Sequence, residues 1–531
     1  MTVPPPNALG AELVWWREDG HQHTLLTIGG PLFAERTGAT SLVLTFALHD
    51  VEGRFVTSWE RALGASDTVF FDSRAVRADV PAAVTEGALV VWIAPAPDSE
   101  SRPARGAHSR AFAMVDWFTD DGAIASLHTD QSVTSTSRPL ELTEIVFCET
   151  TDARTTLVIV NGRETQPAGA LRLVLRNARG DERVVEHPRE MAPFSLHKLA
   201  LAELAPDLVG FCGGEDATIG GRFEAHGIFT RPYVITEGAV PGAYHGGDRY
   251  RSRSIPRLVH RTFPFAEADE KVPWQMMLVS AQKELNPAYA LHHRDLTTRV
   301  HLFQSHGDLE ENFFVDAALY DTSGRLVTRR ERWAIAPRHG QTTCDVAELC
   351  GGVPFEGHIA LSYSEDPSKE AFPRRVQALL EYRTAVSFAR TMLWSDRWNA
   401  PDRVRTQRVA YRALFRVFSR GARLSTLAVT NACVSADYDR EAPYVVRLRN
   451  AQGEELVHHG RLAPYATKVA TIAELFPERF ADELAVAIVE SPFDLASMHL
   501  TKDLRSGVIA AEHLLAVPEH VGDELLMPCG A

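Results

Sequence analysis

Four short clusters along this chain bring an imidazole or an indole close to a carboxylate. They are Ser126-Leu-His128-Thr-Asp130, Ala243-Tyr-His245-Gly-Gly-Asp248, Met392-Leu-Trp394-Ser-Asp396 and the abbreviated Ala511-Glu512-His513. A histidine beside an aspartate suits metal ligation, or an imidazole whose orientation the carboxylate sets. Trp and Tyr beside Asp and Arg suit a sugar, whose faces stack on rings while its hydroxyls meet charged groups. The clusters therefore nominate His128, Asp130, His245, Asp248, Trp394 and Asp396 as ligand contacts. The plainer alternative is a recurring structural corner, with the ring packing an edge and the aspartate capping a turn.

A second group lies between the second and third of these clusters. His292, His293, Asp295, His301 and His306 are followed by the acidic run Asp308–Glu311. On a strand, His293, Asp295 and His301 share one parity, and imidazole plus carboxylate suits a divalent metal such as zinc or iron. That grouping is the basis for an alternative function, a metal-dependent hydrolase or isomerase. The bland reading is a solvated loop in a chain that holds 21 histidines. Two arginine-rich stretches, Arg249–Arg261 and Arg397–Arg423, suit either a phosphate or ion pairing between domains. Cys344 and Cys350 bracket a short apolar segment and read as structural.

The composition narrows the classes. A chain of 531 residues with 45% apolar and 23% charged residues is a folded globular protein of about three to five domains. Its net charge of −14 opposes nucleic-acid binding, which needs surplus Lys and Arg. Six cysteines without a CxxC pair suit a reducing compartment. The expected location is the cytoplasm, since the first residues show no secretory pattern. No membrane insertion is expected: the apolar run Gly87–Ala94 is under half of the roughly 20 residues a spanning helix needs. Walker, dinucleotide-binding, nucleophile-elbow and HExxH motifs do not occur.

The elements that would position these residues recur along the chain. Alternating strands run into the turns Asp50-Val-Glu-Gly53, Asn177-Ala-Arg-Gly180, Asp321-Thr-Ser-Gly324 and Asn450-Ala-Gln-Gly453. Asn or Asp ahead of Gly marks a turn with positive φ between strands that bury one face. After the last three turns come Pro193, Pro337 and Pro464, then the triplets Ala202-Glu203-Leu204, Ala347-Glu348-Leu349 and Ala473-Glu474-Leu475. Each triplet reads as one helical turn or bend, and a further strand follows the third and fourth. The first pass lacks the triplet but keeps the later strand Ala88–Ile93. The period is domain-sized, well beyond the roughly 20–50 residues of a solenoid unit. The fold expected is all-β: a tandem array of about four related antiparallel β-sandwich domains with few short helices. The expected domains are 1–140, 141–256, 257–402 and 403–531. The best helical candidate is Thr406–Phe418, which also reads as an extended linker and a strand.

The fourth pass combines Leu427-Ala-Val-Thr-Asn431, a hairpin, Leu462-Ala-Pro464-Tyr465, Ile472–Phe476 and Val486-Ala-Ile-Val-Glu490-Ser-Pro492. This order resembles the small bacterial β-sandwich of the sensory rhodopsin transducer family, over about 90 residues of each pass by strand pattern. The resemblance implies a carbohydrate-binding-like sandwich that binds a small molecule such as a saccharide, or a protein partner, and forms homo-oligomers without catalysis. Four fused copies depart from the single-domain form of that family. The leading expectation is thus a non-catalytic binding or scaffold protein.

Overall fold

The structure is a computed structural model. It describes residues 10–29, 40–64, 67–97, 99, 113–120, 124–128, 131–132, 140–149, 152–177, 179–212, 218–225, 229–230, 232–238, 242–245, 255–256, 286–304, 311–338, 341–364, 366, 368–369, 371–372, 376–392, 411–433, 438–478, 480, 483–491, 493, 495–513 and 516–517.

The four glycine turns form alike. Gly53, Gly180, Gly324 and Gly453 have φ of 85°, 84°, 90° and 81°. Each donates its N–H to the carbonyl of the Asp or Asn three residues earlier. In each turn Oδ1 of that Asp or Asn accepts the N–H groups two and four residues on. The side chain thus satisfies the backbone where the ladder ends.

Each unit has eight principal strand positions, here lettered a to h in chain order. In the first unit they are β1 (Gly10–Arg17), β2 (Gln22–Gly29), β3 (Ser41–His49), β4 (Phe55–Gly64), β5 (Thr68–Asp72), β6 (Glu86–Pro95), β7 (Ala113–Thr119) and β8 (Ile124–His128). The short β9 (Gln131–Ser132) follows. The second unit has β10 (Leu140–Cys148), β11 (Ala153–Val160), β12 (Arg172–Arg176), β13 (Glu182–Glu186), β14 (Leu196–Ala200), β15 (Thr218–Ala225), then the short β16 (Phe229–Thr230), β17 (Tyr233–Gly238) and β18 (Gly242–His245). The two-residue β19 (Ile255–Pro256) stands before the third unit. That unit has β20 (Asn286–His292), β21 (Thr297–Phe303), β22 (Phe313–Asp321), β23 (Leu326–Ala336), β24 (Thr342–Asp345), β25 (Phe355–Tyr363), the short β26 (Ala371–Phe372), β27 (Gln377–Arg383) and β28 (Phe388–Met392). The fourth has β29 (Tyr411–Phe418), β30 (Arg423–Thr430), β31 (Ala442–Arg449), β32 (Glu455–Leu462), β33 (Thr467–Thr471), β34 (Leu484–Ser491), β35 (Ala496–Asp503) and β36 (Ile509–His513), with β37 (Ala516–Val517) after it.

The pairing order is the same four times. One sheet runs a-f-c-d: β1-β6-β3-β4, β10-β15-β12-β13, β20-β25-β22-β23 and β29-β34-β31-β32. The facing sheet runs e-b-g-h: β5-β2-β7-β8, β14-β11-β17-β18, β24-β21-β27-β28 and β33-β30-β35-β36. The fold is therefore all-β, in four related antiparallel sandwiches. The three Ala-Glu-Leu triplets are one-turn helices, α1 (Leu201–Leu204), α3 (Val346–Leu349) and α4 (Ile472–Leu475). A further short helix, α2 (Leu208–Phe211), follows α1. The first unit has a 3₁₀ turn, Ser73–Asp79, in the corresponding place.

Of the two readings of Thr406–Phe418, the strand holds and the helix does not over the described part: Tyr411–Phe418 is strand β29. Its period is two, with Phe415 and Val417 in the sandwich core and Leu414, Arg416 and Phe418 on the other face. Of the expected boundaries, 402 lies outside the described residues, and β10 begins at Leu140. Ile255–Pro256 pairs with Ala371–Phe372 of the third unit.

The units close into a ring. At its centre β8 borders β18, β18 borders β28, β28 borders β36, and β36 borders β8. The β18–β28 contact is a short parallel ladder, Gly242↔Phe388 and Ala243↔Ala389. Around the ring, strand a of three units packs on the b-g face of the next, β1 on β11, β20 on β30 and β35, and β29 on β7, while β10 meets β28 where Val146 accepts from Arg390. The first two units share one apolar core. No helix among the described residues is long and apolar enough to cross a membrane.

Candidate functional site

The chemistry-bearing residues concentrate at the seams of this ring. At the seam between the fourth and first units, strand alternation turns Arg416 of β29 outward from its own core. It meets Asp116 on β7, and both are fully buried. Arg416 Nε donates to Asp116 Oδ2 at 2.7 Å, and Nη2 donates to Oδ1 and, at 3.0 Å, to Ser126 Oγ. Leu25, Phe118, Phe418 and Ala510 form an apolar cluster that excludes water from one side. Arg423 lies over the Phe118 ring, 4.4 Å from its centre, and 3.7 Å from Asp503. One strand further, His128 donates its backbone N–H to Glu512 Oε2 and its ring Nδ1–H to Oε1, both at 3.0 Å. A carboxylate thus takes the place of a strand ladder between β8 and β36.

The seam between the second and third units uses the equivalent position. Glu381 of β27 matches Asp116 in register: Arg299↔Glu381 on one side, Leu25↔Asp116 on the other. Arg390 of β28 donates to Glu381 Oε2 at 2.7 Å and to the Val146 carbonyl of the second unit at 3.2 Å. Burial favours the protonated acid at Glu381, but Arg390, His301 and Arg383 outweigh it and hold the carboxyl well below its usual range. His301 is also buried, with Nε2 3.2 Å from Glu381 and Nδ1 3.0 Å from Thr343 Oγ1. Burial lowers its pKa more than Glu381 raises it, so the ring is neutral and donates through Nε2.

This placement corrects the expected metal group. His293 and Asp295 are exposed on the β20–β21 turn, whereas His301 lies four residues into β21, about 13 Å along the strand from its start. Shared parity was not enough, because the turn breaks the strand between them. Among the described residues no three His, Cys, Asp or Glu side chains are grouped to hold a metal. Burial pushes the Cys344 thiol up to about 12, which keeps it protonated at neutral pH.

The other two seams are aromatic. Between the first and second units Trp117 meets Tyr233 edge-on at 4.7 Å, and Tyr233 donates to the Leu13 carbonyl at 3.2 Å. Between the third and fourth units Tyr382 donates to the Tyr289 carbonyl at 2.6 Å, and Met498 Sδ of the fourth unit lies 3.0 Å from the same hydroxyl. His358 there is buried, 3.0 Å from Thr467 Oγ1 and stacked on Tyr320, which stacks in turn on Tyr465. At these two seams the glycine turn docks on the next unit: Leu196 N–H donates to Val51, and Thr467 N–H donates to Thr322.

The repeat-end clusters fall on one strand position. His128, His245, Met392 and His513 end the h strands, opposite Met114, Tyr233, Leu379 and Met498. The third-unit counterpart is therefore Met392, two residues before the expected Trp394. Asp130, Asp248, Trp394 and Asp396 lie outside the described residues. His128, expected as a ligand contact, is 4% exposed and engaged at a seam.

Sequence reasoning missed Asp116, Glu381 and Arg390. Its reading of the Arg397–Arg423 stretch as inter-domain ion pairing holds for Arg416. It also missed a chain in the second unit: His187 Nε2 lies 3.2 Å from His197 Nδ1, and His197 Nε2 lies 2.8 Å from Ser195 Oγ. Ser195 donates its own proton to the Ala192 carbonyl at 2.6 Å. His197 therefore donates to the serine, the reverse of what activates a nucleophile.

No protein-family model matches the chain, and no curated protein matches it.

Proposed function

We propose that this protein is a non-catalytic scaffold that binds protein partners along its outer strand edges. The observation that carries this reading is the state of the d strands. β4, β13, β23 and β32 each end a sheet, and among the described residues none pairs on its outer side. Each carries exposed apolar side chains: Phe55, Val184, Leu326 with Val327, and Val457. An extended segment of a partner can add to such an edge through main-chain hydrogen bonds, with side chains supplying selectivity. The buried polar groups at the seams hold units together, which leaves the periphery for recognition.

The test places a photo-crosslinking residue at Val327 or Val457 in the full chain in its native cells, with Leu504, exposed beyond β35, as the reference site. Discrete adducts at the edge positions, with those from Val327 lost on Leu326→Lys, support the reading. No adduct at these edges, or the same adducts from Leu504, overturns it.

A further inference from the structure

Of the four outer edges, β23 differs from its counterparts in charge. It holds three arginines and one glutamate, whereas β4 and β32 hold one arginine and one glutamate each, and β13 holds one arginine and two glutamates. This positive surplus sits in a chain of net charge −14. Arg329, Arg330 and Arg332 are exposed, and among the described residues none of them pairs with a carboxylate. Arg330 donates to the Glu348 carbonyl of α3 at 3.2 Å, on the core side of the sheet. Arg332 lies over the Phe314 ring, 3.7 Å from its centre, on the opposite side, since Phe313 and Val315 face the core. Exposed Leu326 and Val327 flank these cations at one end and Ile335 at the other. Register shifts interrupt the strand at Val327 and again between Arg330 and Ala334, where Arg332 takes a φ of 51°. Bulges and like charges on an edge discourage a second β23 from pairing with it.

We propose that β23 is the docking edge for an acidic extended peptide, a partner segment with a short run of consecutive Glu or Asp between apolar residues. The proposal rests on the reading of the outer edges as partner sites and names the chemistry of one partner. From Leu326 to Arg332 the strand spans about 20 Å, room for about six or seven extended residues. A segment laid along it meets guanidinium groups on both faces of the sheet. Adjacent acidic side chains of an extended segment point to opposite faces, so each finds a cation. The planar guanidinium fork matches a carboxylate with paired hydrogen bonds. Apolar neighbours in the segment cover Leu326, Val327 and Ile335. The acidic remainder of the chain repels the same segment, which confines it to this edge.

The experiment titrates the full chain against the dye-labelled peptide Val-Thr-Val-Glu-Glu-Glu-Val-Thr and its Lys-Lys-Lys counterpart, read by fluorescence anisotropy. The expected result is saturable binding of the acidic peptide alone, several-fold weaker as NaCl rises from about 50 to about 300 mM. Arg329→Glu combined with Arg330→Glu should weaken it about tenfold or more. Arg189→Glu, at an exposed arginine between β13 and β14, should change nothing. No saturable binding by the wild-type chain, or equal binding of the lysine peptide, overturns the acidic partner, and neither outcome needs a variant to fold. Binding that the double variant leaves unchanged, with wild-type circular dichroism, also overturns it. Concentration-dependent dimers of the full chain in sedimentation, lost in the double variant, overturn it in favour of a second copy. If the peptide fails while photo-adducts at Val327 persist in cells, the acidic partner falls and the edge reading stands; loss of both removes both.

Discussion

Asp116 and Arg416 stand 300 positions apart in the chain and meet with no exposed surface on either side chain. Removing one partner leaves an uncompensated buried charge. Asp116→Ala should therefore cost about 3–5 kcal/mol in chemical denaturation, whereas Asp116→Leu combined with Arg416→Met should recover most of that loss. A similar loss in both would show that the pair is not isolated from water. The buried histidines make a second residue-scale prediction. Burial holds His358 and His499 down to about 3. The unfolded chain binds protons at these sites below pH 6.5 while the folded chain does not. Their contribution is whole above pH 6.5 and falls, per histidine, by about 1.4 kcal/mol per pH unit as pH drops toward 3. Melting curves from pH 7.5 to 4.5 should show that slope, and His358→Gln should flatten it by about one proton. Little of this was legible in advance. The repeat-end clusters pointed to His128 and His245, but a cluster does not say what faces it across a seam. Glu512 was visible only as an irregular fourth copy.

The element scale was the most readable, because turns and alternation are local. The four Asp/Asn–Gly turns and the three Ala-Glu-Leu helices formed where short-range chemistry placed them. Tyr411–Phe418 was ambiguous because a run of that composition fits either period until its two faces find neighbours. The turns also differ in a way their sequences do not show. A Cβ at Gly324 would lie 2.3 Å from the Pro464 carbonyl of the next unit, whereas one at Gly453 meets nothing within 4 Å. Gly453→Ala should cost about 1 kcal/mol from its positive φ alone. Gly324→Ala should cost clearly more, because it also pushes the fourth unit away. Equal losses in denaturant titrations would mean that the docking adds no constraint.

At the scale of the whole molecule, ring closure had no local signal, since it depends on edges of distant strands meeting one another. Its seams alternate, ionic at two and aromatic with docked turns at two. The first two units share a continuous core, so they should open as one cooperative body. Leu157→Ala in β11 should lower amide protection in β1 and β6 as well as in its own sheet, as read by hydrogen exchange. Protection lost only within the second unit would show two independent bodies. A ring of four identical subunits must repeat each residue four times, so a change good for one contact is imposed on all. Here the copies are joined in one polypeptide, and each contact can drift alone. That freedom lets Val146, Arg416, Tyr289 and Trp15 stand at matching places with four different chemistries. Inheritance acts on one quadrant at a time, and near-symmetry of shape survives while symmetry of sequence decays.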